Sequence, residues 1–94
     1  MKLRYTDKAR MDVERAFIWY EKQRRGLGFE WLDCLEAAIQ GILRFPKMYP
    51  QTHVKFRRSL VRRFPFSIFY TIEKDEIVVH GVFDNRQDPA RRPQ

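Results

Sequence analysis

Five basic side chains, Lys55, Arg57, Arg58, Arg62 and Arg63, fall between Gln51 and Ile72 with no acidic residue among them. A guanidinium is a planar fork that binds carboxylate or phosphate through paired N–H bonds, so a run this one-sided points to an acidic partner. The competing role is a charged sheet margin that discourages edge-to-edge aggregation. Arg57 and Arg58 are read at a turn, and Arg62 and Arg63 beside the entry to a sheet. Other reactive groups are sparse. His53 and His80 are the only histidines, 27 positions apart, and make no metal site. His80 is placed in an alternating strand, on the same face as Val78 and Val82. It reads as structural, with proton transfer as the alternative, and His53 reads similarly. Cys34 stands alone, which excludes an internal disulfide framework and a Cys-based zinc cluster. It sits one position off a helical stripe with no adjacent base, and reads as an inert thiol. No cofactor is implied.

These groups need elements to hold them. Lys2 to Tyr5 is a short strand candidate, and Thr6 or Asp7 can cap a helix. Ala9, Val13, Ala16, Phe17 and Tyr20 recur every three or four positions and predict a helix from about Lys8 to Arg24. Gly26 and Gly28 supply the turn. Leu32, Leu35, Ile39, Ile42 and Leu43 predict a second helix from about Phe29 to Phe45, which Pro46 stops. The two form a helical hairpin. Phe45-Pro46 and Tyr49-Pro50 mark a rigid connector. The period then changes to two. His53–Phe56 and Ser59–Phe64 are short strand candidates. Phe66, Ile68, Tyr70 and Ile72 alternate with Ser67, Phe69 and Thr71. Ile77, Val79, Gly81 and Phe83 alternate with Val78, His80 and Val82. The polar Glu73-Lys74-Asp75-Glu76 between these two strands reads as a hairpin turn.

The expectation is a single α+β domain over residues 1–94, ending in a polar tail from Asp84. A short N-terminal strand and a helical hairpin cover one face of a mainly antiparallel C-terminal sheet. The other face is free to be a working surface. Phe69, on the side opposite Phe66, belongs there. Trp19 and Trp31, one on each helix, could cover a groove for a partner peptide.

Composition agrees with a folded domain. Hydrophobic residues make up 44%, enough for one core, and 94 residues leave no room for two. Apolar runs are far too short for a membrane span, and no apolar signal region follows the first charges, so the cytoplasm is the simplest compartment. Net charge is +7, from 19 Lys and Arg against 12 Asp and Glu. The first 46 residues carry nine bases and seven acids, the remainder ten and five, so the excess lies in the second half.

The helical hairpin, Phe45-Pro46-x-x-Tyr49-Pro50, Arg62-Arg63-Phe64-Pro65-Phe66-Ser67-Ile68-Phe69-Tyr70 and Val82-Phe83-Asp84-Asn85-Arg86-Gln87-Asp88-Pro89 together resemble the RelE/ParE superfamily of bacterial type II toxins, including plasmid-stabilisation toxins. The ParE-like branch is the most similar. The resemblance implies a growth-inhibiting toxin neutralised by a small antitoxin, which alone would bring it to operator DNA. In ParE-like members the target is DNA gyrase; in RelE-like members it is mRNA on the ribosome. Within that family, the basic run and Arg86 make Arg57, Arg58, Arg62, Arg63 and Arg86 the candidates for target contact, and the aromatics Trp19, Trp31 and Phe69 those for antitoxin contact.

RelE-like cleavage draws its base, cation and acid from basic residues on the sheet and from a tyrosine near the C-terminus. Here Tyr70 is the last tyrosine, and Ser67 stands where those enzymes carry a strand arginine. Arg86 is the surviving equivalent, with His80 the other candidate if the chain were a nuclease. The balance favours a non-enzymatic gyrase inhibitor. A ribosome-dependent mRNA endonuclease and a non-toxic, antitoxin-binding remnant of the fold are the alternatives.

Overall fold

Thr6 turns the chain from strand into helix. Its backbone is extended, and its Oγ1 accepts from the N–H of Ala9 at 3.1 Å, satisfying one of the first turn's open donors. The computed structural model describes residues 1–87 as β1 (Lys2–Tyr5), α1 (Asp7–Gln23), α2 (Leu27–Arg44), β2 (Arg57–Leu60), β3 (Phe66–Glu73) and β4 (Glu76–Asp84). This is the expected α+β order. The strands form one sheet, ordered β1-β4-β3-β2. β2 and β4 flank β3 antiparallel, while β1 lies parallel to β4 with Leu3 opposite Ile77. No helix among the described residues is long and apolar enough to cross a membrane.

The core is the seam between hairpin and sheet. Ala9, Ala16 and Tyr20 of α1 and Trp31, Leu35, Ile39 and Ile42 of α2 meet Phe66, Ile68 and Tyr70 of β3 and Ile77, Val79 and Val82 of β4. The stripe of α2 is therefore centred one position from the expected one: Trp31 is fully buried, while Leu32 and Leu43 are only partly covered. Gly26 joins the helices at φ +90°, a conformation that glycine adopts without strain. Gly28 lets them approach. A Cβ there would lie 2.8 Å from the backbone oxygen of Phe17. Backbone yields less readily than a side-chain tip, so Gly28→Ala should cost about 1–3 kcal/mol. Denaturant unfolding checks this, and an unchanged midpoint would show that the hairpin opens freely.

Two strand expectations are corrected. The segment from His53 to Phe64 is not two strands around a turn at Arg57-Arg58. β2 runs through Arg57 and Arg58, and Val61 to Pro65 lies outside any strand. The cause is long-range. Arg57 donates through Nη1 to the carbonyls of Lys47 (3.0 Å) and Tyr49 (2.7 Å), which ties β2 to the connector. Tyr70 Oη secures the same connector at Pro46 O, 2.6 Å away. In β4 the alternation reverses. Pairing passes from Phe69↔Gly81 to Tyr70↔Val79 and leaves His80 over, a β-bulge. Val79 and Val82 thereby both reach the core, while Gly81 and Phe83 turn to the far face. His80 shares a face with Val78 but not with Val82.

The far face is not bare. Ser67, Phe69, Thr71, Val78 and Phe83 are all buried there. The polar ending begins one residue later than expected, because Asp84 closes β4, and its residues 88–94 lie outside the described residues.

Candidate functional site

Beyond the end of β1, α1 runs along the free margin of β4. The N–H of Thr6 donates to Val79 O at 3.0 Å, and Asp12 Oδ2 accepts from the N–H of Val82 at 3.0 Å. Between α1 and the end of β4 lies a groove of about 660 Å³, whose lining includes Met11, Arg15, Trp19, Phe83 and Arg86. Met11, Arg15 and Trp19 recur at i, i+4 and i+8 on one helix face. Trp19 is 49% exposed and stands edge-on to Tyr20, ring centroids 5.1 Å apart. The Arg86 guanidinium lies 5.7 Å from the Trp19 ring centre and pairs with Asp84 at 2.7 Å. That bond holds the Asp84 carboxyl below its ordinary range. Burial pushes the Tyr20 phenol up. Lys8 bridges Asp12 (2.7 Å) and the face of Phe83 (4.0 Å). The groove thus has an aromatic floor and a rim of Lys8, Arg15 and Arg86. Such a surface fits an amphipathic segment that offers apolar anchors and carboxylates.

The expected partner aromatics do not share this exposure. Trp31 is fully buried, stacked with Tyr20 at 6.4 Å and edge-on to Phe66 at 5.3 Å. Its Nε1 has no hydrogen-bond partner among the described residues. Phe69 is 2% exposed and lies edge-on to Phe83 at 5.7 Å. The bulge brings those two rings to one face. Neither Trp31 nor Phe69 offers surface to a partner in this conformation, because each is taken up by packing.

The basic run does not form one patch. Arg57 is spent on connector carbonyls, and Arg58 points to the far face of the sheet, where it bonds Ser67. Arg63, at φ +72°, turns back to Glu30 on α2 at 3.1 Å. Glu30 also takes Arg24 at 2.9 Å, and the bonds from Arg24 and Arg63 lower its pKa. Arg62 is exposed and has no carboxylate partner among the described residues.

The two candidate groups for cleavage chemistry are engaged separately. Arg86 closes on Asp84 beside the groove. His80 Nε2 lies 2.8 Å from Thr71 Oγ1, which donates to Glu73 Oε2 at 2.8 Å. Since that hydroxyl spends its proton on Glu73, neutral His80 carries its own on Nε2. Lys55 pairs with Glu73 at 2.9 Å, and Phe56 lies edge-on to the imidazole at 5.2 Å. Burial lowers the His80 pKa. His53 is exposed and Cys34 half-buried. Tyr70 is fixed by its bond to Pro46, and burial raises its phenol to about 12.

A family model described as the ParE toxin of the type II toxin-antitoxin system, parDE, matches residues 3–89. The chain belongs to the ParE toxin family. Among solved structures, a chain of the chromosomal ParDE TA system from P. aeruginosa is similar, with a TM-score of 0.80 and 17% identity. The match covers 89% of this chain and 95% of that one, and at such identity the likeness is one of fold. No curated protein matches the chain. The resemblance read from the Arg-Phe-Pro-Phe block and the connector therefore points to the right branch. The sequence reading missed Met11, Arg15 and Asp12 as neighbours of Trp19, although their spacing on α1 marks the shared face.

Proposed function

We propose that this ParE toxin family member is a growth inhibitor acting on DNA gyrase, held inactive by a cognate antitoxin through which alone it reaches operator DNA. The observation that favours gyrase over mRNA is the fate of two positions. Ser67, in place of a strand arginine, is a buried hydroxyl, and Tyr70 Oη is committed to Pro46. Neither supplies a cation or an acid to a phosphodiester. Target contact falls to Arg62, which is exposed, and to Arg58, whose terminal nitrogens keep no carboxylate partner among the described residues. The antitoxin takes the Trp19 groove, with acidic side chains set against Lys8, Arg15 and Arg86.

Induction of the chain alone in bacteria tests this reading. Growth should stop, plasmid topology should change and mRNA should stay whole, while co-expression of an acidic neighbouring chain restores growth. Codon-positioned mRNA cuts that vanish in Arg86→Ala would favour the nuclease. A chain harmless when expressed alone would favour the non-toxic remnant.

A further inference from the structure

Arg58 differs from the other arginines seated on the fold. It is half-buried on the far face of the sheet, opposite Phe69 in the β2–β3 register. Its Nε donates to Ser67 Oγ at 2.8 Å, and Ser67, fully buried, donates onward to Asn85 Oδ1 at 2.7 Å. Arg4, Arg24, Arg63 and Arg86 all close on carboxylates, at 2.7–3.1 Å. Arg57 closes on two carbonyls. Among the described residues no carboxylate lies within 4.0 Å of Arg58.

A cation drawn partly out of water needs a counter-charge or a full set of acceptors. A neutral hydroxyl supplies neither; it orients. The Ser67–Asn85 line holds Arg58 by its Nε, and the two terminal nitrogens, which carry the remaining N–H donors of the fork, have no hydrogen-bond partner among the described residues. The line also satisfies the hydroxyl of Ser67, which is fully buried in β3.

We propose that Arg58 is an oxyanion-binding residue: its terminal nitrogens take two oxygens of a phosphate or carboxylate group, and Ser67 and Asn85 are positioning residues that fix the fork. This deepens the target-contact reading of Arg58. Its test uses no target, so failure of one leaves the other standing.

The experiment is NMR titration of the full chain with inorganic phosphate, and separately with acetate, at constant ionic strength. The Arg58 Nε–H signal should be sharp and should shift saturably with at least one of the two anions. The tighter of the two identifies the kind of oxyanion. Arg58→Lys keeps the charge but loses the fork, and should weaken that binding about tenfold. Ser67→Ala keeps the arginine, and should broaden its Nε–H signal and weaken binding by about fivefold, the worth of one hydrogen bond. Dispersed amide spectra confirm that each variant is folded. No saturable shift with either anion in the parent chain, or equal affinity in a folded Arg58→Lys, would overturn the proposal.

Discussion

Ile39→Ala and Ile68→Ala are each expected to lower unfolding free energy by about 2–5 kcal/mol, the largest stability losses foreseen for single aliphatic truncations in this chain. The two residues lie on opposite sides of the seam. Ile39 is on α2 and Ile68 on β3, and both are almost or wholly without exposure. Truncating either removes transfer free energy and leaves a void between layers. The helical hairpin is held to the sheet margin by Thr6 and Asp12, so it cannot simply settle into that void. Denaturant midpoints at unchanged slope measure the effect. A variant that unfolds with the parent would take its residue out of the core.

Trp19→Ala is expected to cost about 2 kcal/mol or more in antitoxin affinity, as aromatic anchors in the middle of an interface commonly do. The same change should leave the fold standing, because Trp19 is already 49% exposed. Trp31→Ala should do the reverse. It would damage the packing of Tyr20 and Phe66 and lower stability before it touched any interface. Calorimetric titration of antitoxin into each variant, beside a thermal melt, separates the two tryptophans. Parent-like affinity in Trp19→Ala would remove the groove from the antitoxin interface.

The contrast between those tryptophans shows what could be read in the chain beforehand. Both are large aromatics on helices, but the α1 stripe leaves Trp19 off it, whereas the α2 stripe turns by a single position and takes Trp31 into the core. Thr6, Gly26 and the 3.6-residue period are local signals, and they placed the helical hairpin to within two residues. β2 was misplaced because its register depends on Arg57 reaching carbonyls eight and ten positions away in sequence, which no alternation pattern records. The bulge at His80 was equally silent. A string of alternating residues reads the same with or without one extra, yet the extra residue moved Val82 into the core and Phe83 out of it. The parallel seating of β1 on β4 joins segments more than seventy residues apart. At the site, charge counting found the basic run but not its dispersal. Arg57, Arg58 and Arg63 follow one another closely in sequence and yet point to the connector, the far sheet face and α2. Ser67 looked only like a missing arginine until its two hydrogen bonds were in view.

The most direct test of the account is a gyrase supercoiling assay with the purified chain, run beside mRNA cleavage on programmed ribosomes. The account predicts slowed supercoiling or accumulation of cleaved DNA, relieved by the antitoxin, with mRNA left intact. Unaffected gyrase together with codon-positioned mRNA cuts would contradict it.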